Sequence, residues 1–183
     1  DIPIVAVHLT RPPIEIPDRE ALGMATHLDA AKGAYIIKEY DMNRPKEGLV
    51  IVRGTSSTNS LVEILPKLKL KGPNVKVVAA ISWELFQQQT EGYRQSTISN
   101  QEWMDAMVIT NGAKRLMHKW IANRVVEEYS MSPDFDNRWR SGGSLDEIIA
   151  ESKLDSESVW EGINQFARSR KQRLASIQES IPE

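Results

Sequence analysis

The chain has 183 residues, of which 40% are hydrophobic and 26% are charged, a composition typical of a globular protein. Its 23 basic and 25 acidic residues give a formal charge of −2, which disfavours nucleic-acid binding because nucleic-acid-binding domains usually carry a basic excess. Cysteine is absent, which excludes disulfides, thiolate catalysis and cysteine-ligated metals, and no apolar run approaches the roughly 20 residues of a membrane helix.

The first segment, residues 2–9, is short, apolar and rich in β-branched side chains, and two prolines follow it closely. This pattern predicts a strand that is buried on both faces. Residues 11–32 contain three prolines and many charges, which predicts an extended linker with one helical turn at most. Because the chain has no initiator Met and begins in a strand-like segment, we expect it to be a piece of a larger protein.

Four later segments have the β-branched, apolar composition of strands. They are residues 33–40, 49–52, 75–81 and 107–110. The segment 75–81 is almost entirely apolar, as expected of a central parallel strand that is covered on both faces. The first two segments are joined by a short, turn-rich link, and we expect this pair to add one antiparallel edge.

Helices are predicted between and after these strands. After Gly54, apolar residues at helical spacing predict a helix in which Ser60 and Glu63 could form a capping box. The segment 83–98 is expected to be partly helical, and 112–129 to be one long helix with a stripe of apolar side chains.

Towards the C-terminus, Ser144 and Glu147 match a capping box that would open a short helix. Asp155 is placed to cap the last helix, whose apolar side chains run from Val159 to Ala167. The polar residues after Arg168 predict a frayed tail whose basic side chains are solvated.

Strands that alternate with helices indicate βαβ units. We therefore predict a doubly wound, three-layer α/β/α sandwich with a mostly parallel sheet of about five strands and one antiparallel edge strand. Such a fold would place ligands at the carboxyl ends of its strands.

Two segments are candidate binding sites. Gly54, Thr55, Ser56 and Ser57 join a strand to a helix, where free backbone N–H groups could hold an anion, although N-capping by a hydroxyl explains the same residues more simply. Arg11 stands at the end of the first predicted strand, and its guanidinium could hold two phosphate oxygens at once.

The remaining polar residues predict no catalytic or metal site. His8, His27 and His118 lie far apart and share no metal-ligand spacing, and no Walker, nucleophile-elbow or dinucleotide-binding motif occurs. We therefore expect no catalytic residue and no metal ligand in this chain. The lack of cysteine suits a cytoplasmic protein. The balanced charge and the short apolar runs predict neither a nucleic-acid nor a membrane partner.

Several segments, in order along the chain, resemble those of transketolases. Leu9-Thr10-Arg11 resembles the family's Leu-Ser-Arg, although two prolines follow where Gln-Asn is common, and residues 32–35 resemble its Lys-Gly-Gly-Tyr. The most specific resemblance is to the pattern F-x-x-Q-x-x-x-Y-R-x-S-x-(L/I), which this chain matches with Phe86, Gln89, Tyr93, Arg94, Ser96 and Ile98. The family's closing region is matched by Arg138, Trp139, Gly143, Glu147 and Val159.

The resemblance implies that the chain is the C-terminal domain of an enzyme that transfers a two-carbon ketol unit between sugar phosphates. Such an enzyme uses thiamine diphosphate and a divalent metal, Mg or Ca, between domains that this chain does not include. The implied partners are the remaining transketolase domains, or a separate N-terminal subunit, in a homodimer. Arg11 would then help to bind the sugar phosphate. The family's catalytic histidines do not correspond to His8, His27 or His118, and the isolated chain would be inactive.

The resemblance also predicts the domain limits. Residues 1–17 would be the last strand of the preceding pyrimidine-binding domain, 18–30 a linker, 31–167 the C-terminal domain and 168–183 a polar helical tail. Two alternatives stay open: a non-catalytic module that binds a partner or an anion, and the matching domain of a 2-oxoacid dehydrogenase or of deoxyxylulose-phosphate synthase.

Overall fold

A computed structural model describes residues 4, 6, 7, 14–138, 140 and 142–180, and its centre is a four-stranded sheet. The strands are β1 (Ala34–Lys38), β2 (Leu49–Arg53), β3 (Lys76–Ala80) and β4 (Ala106–Thr110). Their order across the sheet is β1-β3-β2-β4. β2 is parallel to both β3 and β4, whereas β1 is antiparallel to β3.

Eight α-helices and two short 3-10 helices surround the sheet in the described residues. The 3-10 helices are His27–Lys32 and Lys114–Met117. The α-helices are α1 (Thr55–Lys71), α2 (Trp83–Gln87), α3 (Glu91–Thr97), α4 (Asn100–Met104), α5 (Arg124–Glu127), α6 (Leu145–Glu151), α7 (Ser156–Arg168) and α8 (Arg170–Glu179). None of them is both long enough and apolar enough to span a membrane.

The sheet is covered on both faces, because alternate residues of each strand point to opposite sides. Val50 and Val52 belong to one apolar cluster, with residues of α1 and α7, whereas Leu49 and Ile51 belong to a second cluster, with residues of the α2–α4 region. These two clusters confirm the predicted three-layer α/β/α sandwich. The described residues form four strands rather than five, and a single parallel bridge between Ile109 and Met131 continues the sheet beyond β4.

The predicted antiparallel edge strand is confirmed, but its neighbour differs from the expected one. β1 pairs with β3 through the register Ala34–Ala80 and Ile36–Val78, and not with β2, which follows it along the chain. This arrangement leaves β2 between two parallel neighbours in the interior of the sheet.

The predicted long helix over 112–129 is wrong. The segment forms the 3-10 helix Lys114–Met117, an irregular stretch and then the short helix α5. The carbonyl of Trp120 accepts a hydrogen bond from Trp103 Nε1 at 3.0 Å, and Asn123 caps α5 through a bond from the Val126 N–H to its Oδ1. These two bonds take the place of the backbone hydrogen bonds of a helix. The segment therefore does not form one continuous helix.

The predicted helix starts differ in outcome. The box of Ser144 and Glu147 is present, and Asp155 caps α7 by accepting from the Ser158 N–H at 2.9 Å. The box of Ser60 and Glu63 is wrong, because α1 already begins at Thr55 and Ser60 is buried inside the helix.

The predicted frayed tail is also wrong. Residues 170–179 form α8, and Arg173 in this helix is only 1% exposed rather than solvated. Its Nε donates to Asp105 Oδ1 at 2.8 Å, and its guanidinium lies over the ring of Phe166. An ion pair with a residue at the start of β4 therefore holds the helix against the domain.

The predicted N-terminal strand is not formed at the positions that the structure describes. Ile4, Ala6 and Val7 lie outside any strand and are exposed. A strand needs a neighbour to satisfy its backbone hydrogen bonds, and the described residues offer none here. Arg11 and His8 lie outside the described residues.

Candidate functional site

The candidate site, which we call the cleft, lies where β2 and β4 end side by side, with Arg53 paired opposite Thr110. From β2 the chain continues into α1, whose apolar residues pack in the cluster of Val50 and Val52. From β4 it continues into the 3-10 helix containing Met117, which packs in the opposite cluster. Loops that leave neighbouring parallel strands towards opposite faces open a crevice, and open α/β sheets bind ligands at such points. The predicted anion segment, Gly54 to Ser57, lies here.

Gly54 and Asn111 pack against each other at this site. Gly54 has a φ of +92° and a ψ of 152°, a conformation that is nearly restricted to glycine. A Cβ atom at this position would lie 1.7 Å from Asn111 Oδ1. The side chain of Asn111 thus packs directly on the backbone from which α1 starts, and only glycine fits between them.

The first turn of α1 has backbone donors but no side-chain cap. Gly54 is the N-cap residue, no side chain accepts a hydrogen bond there, and the turn contains no acidic residue. The simpler interpretation, N-capping by a hydroxyl, is therefore wrong: Thr58 Oγ1 instead donates to the Gly54 carbonyl at 2.7 Å. An uncapped helix start attracts negative charge, so the arrangement is compatible with an anion, and the anion site stays a prediction.

The hydroxyls of the predicted segment differ in their surroundings. Ser56 Oγ accepts a bond from Asn111 Nδ2 at 3.1 Å. Ser57 is fully buried, and its Oγ has no hydrogen-bond partner among the described residues. Asn111 is the residue of this cleft that the sequence analysis missed. Its position directly after the last predicted strand was the available signal, because strand carboxyl ends supply ligand contacts.

Charges of both signs flank the cleft. Arg53 is exposed, and its Nη1 lies 3.8 Å from Met117 Sδ. On the β4 side, the Lys114 N–H donates to both carboxylate oxygens of Asp134 at 3.2 Å. Burial alone would raise the pKa of Asp134, but hydrogen bonds from Ser132 and from the Lys114 N–H outweigh it and lower the pKa below 3.8. Asp134 is therefore ionised at neutral pH and holds the loop after β4.

The histidines of the described part do not contribute to this site. His27 and His118 are both exposed, and His118 Nδ1 lies 3.1 Å from the Arg115 carbonyl of its own turn. No group of three or more metal-binding side chains occurs within residues 14–138 and 142–180.

The segment 86–98 packs against the sheet rather than lining the cleft. The hydroxyl of Tyr93 donates to the Ala34 carbonyl at 2.8 Å, which joins α3 to the start of β1. Phe86 and Ile98 are buried in the same cluster as Ala34. In the described part of the chain the Arg94 side chain bonds only to Gln87, to its Oε1 at 2.8 Å and to its carbonyl at 3.4 Å. The tyrosine fastens this connection to the sheet, whereas the arginine braces the turn between α2 and α3.

Comparison with known protein families gives a match over residues 33–132, more than half of the chain, to the transketolase-like TK C-terminal domain. The matched residues include all four strands. A transketolase from Nostoc sp. is 29% identical over 131 residues, which are 68% of this chain and 19% of the relative. The chloroplastic transketolase of Solanum tuberosum is 37% identical over 71 residues, 38% of this chain and 9% of the relative. The chain thus corresponds to about a fifth or less of these relatives' length.

Solved structures show the same fold. Transketolase from Leishmania mexicana superposes with a TM-score of 0.58 at 15% identity, over 80% of this chain and 19% of that chain. A transketolase of Pichia stipitis, in a complex with sedoheptulose-7-phosphate, gives a TM-score of 0.56 at 19% identity, over 82% of this chain and 20% of that chain.

Proposed function

We propose a function from one established premise: the chain belongs to the transketolase-like TK C-terminal domain family. It acts as the C-terminal domain of a transketolase-type enzyme, which transfers a two-carbon ketol unit from a ketose phosphate to an aldose phosphate. The observation that carries this proposal is the family match over residues 33–132, which includes the Tyr93-Arg94 pattern. The match favours a transketolase over the corresponding domains of 2-oxoacid dehydrogenases.

The thiamine diphosphate and divalent metal of such an enzyme do not fit the residues of this chain. The Gly-Asp-Gly…Asn motif that would hold the diphosphate and the metal is absent from the sequence, which contains no Gly-Asp-Gly at all. In the described part of the chain, no cluster of carboxylate and imidazole groups could ligate a metal. The cofactor is therefore held by other parts of the enzyme, either further domains or a separate N-terminal subunit.

The role of this domain is to support the enzyme's assembly, including a homodimer. Exposed apolar side chains near the carboxyl ends of the strands support a covered surface: Ile81, directly after β3, is 44% exposed, and Leu116, after β4, is 60% exposed. Homodimer interfaces are more apolar than the rest of a protein surface. We assign the other domains of the enzyme as the partner that covers these apolar side chains.

The substrates are sugar phosphates, and Arg11 is the one residue of the chain that we assign to them. The Pichia stipitis transketolase in a complex with sedoheptulose-7-phosphate supports this class of substrate. A guanidinium suits a phosphate because it can donate two parallel hydrogen bonds to its oxygens.

The test has two parts. Calorimetric titration of the 183-residue chain with thiamine diphosphate and Mg²⁺ should show no binding, while circular dichroism shows a folded chain. The intact protein, expressed from its whole coding region, should transfer a ketol unit between a ketose phosphate and an aldose phosphate, and deletion of residues 31–167 should abolish its dimer. Micromolar cofactor affinity of the chain alone, or no ketol transfer by the intact protein, would contradict the proposal.

A further inference from the structure

A cavity of about 210 Å³ lies at the other end of the sheet from Gly54 and Asn111. It is bounded by the end of β1, the turn after it and the last turn of α1. Because β1 runs antiparallel to β3, its carboxyl end meets the amino ends of the parallel strands. Three cationic side chains line this cavity: Lys38, Arg44 and Lys69.

Lys38 is the most buried of the three, with 8% of its surface exposed. Its Nζ donates to the Val75 carbonyl at 2.8 Å and to the Glu39 carbonyl at 3.1 Å, and no carboxylate oxygen of the described residues lies within 4.0 Å of it. Burial, and after it the nearby charges of Arg44 and Lys69, lowers the pKa of Lys38 below 10.5. The carboxylates of Glu39 and Asp41 act in the opposite direction but make no close contact with Lys38. A buried ammonium group without a carboxylate in contact is costly, so an anion beside it would be stabilising.

The other two cations are also held mainly by neutral carbonyl groups. Arg44 Nη2 donates to the Gly72 carbonyl at 2.7 Å, and its only carboxylate neighbour in the described part, Glu47, is 3.9 Å away. Lys69 Nζ donates to the Leu22 carbonyl. Backbone carbonyls fix the direction of these side chains but do not neutralise their charge.

Two carboxylates also line the cavity, and one of them, Glu39, has a cationic partner outside it. Glu39 lies 3.6 Å from Lys76 Nζ and accepts from the Tyr40 N–H at 3.0 Å. Asp41 accepts two bonds from Asn43, at 2.9 and 3.2 Å. Asn43 is neutral, so the negative charge of Asp41 remains in the cavity beside the three cations, whereas that of Glu39 is partly offset by Lys76. The balance of charge in the lining is therefore positive.

We propose that this cavity binds a phosphate group through Lys38, Arg44 and Lys69. A volume of 210 Å³ is several times the ~30 Å³ that one water molecule takes up in the liquid, so a tetrahedral oxyanion fits. Three cations match a dianion better than a singly charged carboxylate, since the attraction to a positive lining grows with the charge of the anion. The group can come from inorganic phosphate or from a phosphorylated metabolite. This inference does not depend on the proposed function.

Titration of the 183-residue chain with inorganic phosphate at pH 8, followed by amide NMR shifts at constant ionic strength, tests the proposal. We expect a dissociation constant of about 1 mM or lower, with shifts centred on residues 38–44. Lys69→Gln should weaken binding about 10-fold, because it removes one charge-assisted bond. Lys71→Gln is the matched control: Lys71 is exposed in the same helix and does not line the cavity, so binding should stay within about twofold.

Glycerol phosphate distinguishes the two sources. Tighter binding than that of inorganic phosphate would assign the site to a phosphorylated metabolite, and equal or weaker binding would assign it to free phosphate. The proposal is overturned if sodium chloride or acetate at the same ionic strength produces the same shifts, or if Lys69→Gln binds phosphate as the unmodified chain does. Lys38→Met removes the buried ammonium and, where the variant stays folded, should abolish binding. If Lys38→Met does not fold, Arg44→Gln is the second test in its place.

Discussion

Arg173 and Asp105 form an ion pair across 68 residues of sequence, with Arg173 Nη2 2.6 Å from Asp105 Oδ1. Both side chains are more than nine-tenths buried. Asp105 precedes β4 directly, and its other carboxylate oxygen accepts from Arg170 Nε at 2.7 Å. One carboxylate directly before β4 thus fixes both the position and the rotation of α8.

Removal of the buried cation should destabilise the chain strongly. Arg173→Met leaves the buried carboxylate with half of its partners, and we expect a loss of about 3 kcal/mol in the free energy of unfolding. Urea denaturation at pH 7 measures this loss. Lys171→Met, on the exposed side of the same helix, should change the free energy by less than about 0.5 kcal/mol. Equal midpoints for the two variants would show that α8 contributes little to stability.

Tyr93 should stabilise the connection between β3 and β4 through both its ring and its hydroxyl. Tyr93→Phe loses the bond to the Ala34 carbonyl and should cost about 1 kcal/mol, whereas Tyr93→Ala should cost about 3 kcal/mol. Arg94→Ala should cost under about 1 kcal/mol, because its bonds to Gln87 are exposed. Thermal and urea denaturation of the three variants give the comparison. A larger loss for Arg94→Ala than for Tyr93→Ala would reverse the roles that we assign to these residues.

The cap of α7 should make stability depend on pH. Burial alone would raise the pKa of Asp155, but the bonds from Ser158 outweigh it and hold the pKa of the folded chain below 3.8. Because the folded pKa is depressed, this contribution is fully present above pH 3.8 and is lost as the pH falls through the folded value. Asp155→Ala should therefore cost about 1 kcal/mol at pH 7 and progressively less below about pH 4.

Asp155→Asn is the control for this effect, since Asn caps helices well without ionising. Its stability relative to Asp155→Ala should hardly change between pH 3 and pH 7. A difference between the aspartate chain and Asp155→Ala that stays constant over this range would contradict the assigned titration.

The layers of the fold could be predicted because they depend on local patterns. Alternating or continuous apolar residues mark the strands, and the capping residues Ser144 and Asp155 mark two helix starts that the structure confirms. The order β1-β3-β2-β4 was not predictable in the same way, because strand pairing depends on contacts between distant segments.

The errors share this origin. Residues 112–129 have helical spacing, yet the bond between Trp103 Nε1 and the Trp120 carbonyl interrupts the helix from another part of the chain. Arg173 belongs to a basic run, and only its distant partner Asp105 reveals that it is buried. In the candidate cleft, Gly54 was predicted as a site residue from its own segment. Asn111 was not, because it follows a different strand, β4, and only the fold brings it to Gly54.

In the intact enzyme, Arg11→Ala should weaken the handling of phosphorylated sugars more than that of unphosphorylated ones. A charge-assisted hydrogen bond is worth roughly 1.5–3 kcal/mol, so the loss should be about 10- to 150-fold. It should appear mainly in KM, because a phosphate far from the reacting bond binds equally in the ground and transition states. Arg11→Lys should recover only part of the loss. Equal losses for a sugar phosphate and its dephosphorylated analogue would exclude the role.

The contact between Gly54 and Asn111 gives the last prediction. Gly54→Ala places a Cβ 1.7 Å from Asn111 Oδ1 and also forces alanine to a φ of +92°, so it should cost about 3 kcal/mol or more. Asn111→Gly removes the cost of the clash with the Asn111 side chain and leaves the cost of the unfavourable backbone angle. The double variant should therefore be more stable than the sum of the single changes by about 1 kcal/mol or more in a urea-denaturation cycle.

The control for this cycle is Gly92→Ala, in α3, where an added Cβ meets no atom within 4 Å. Because alanine favours the helix over glycine by up to about 1 kcal/mol, this change should be neutral or stabilising. Strict additivity of Gly54→Ala and Asn111→Gly would show that the cost comes from the backbone alone.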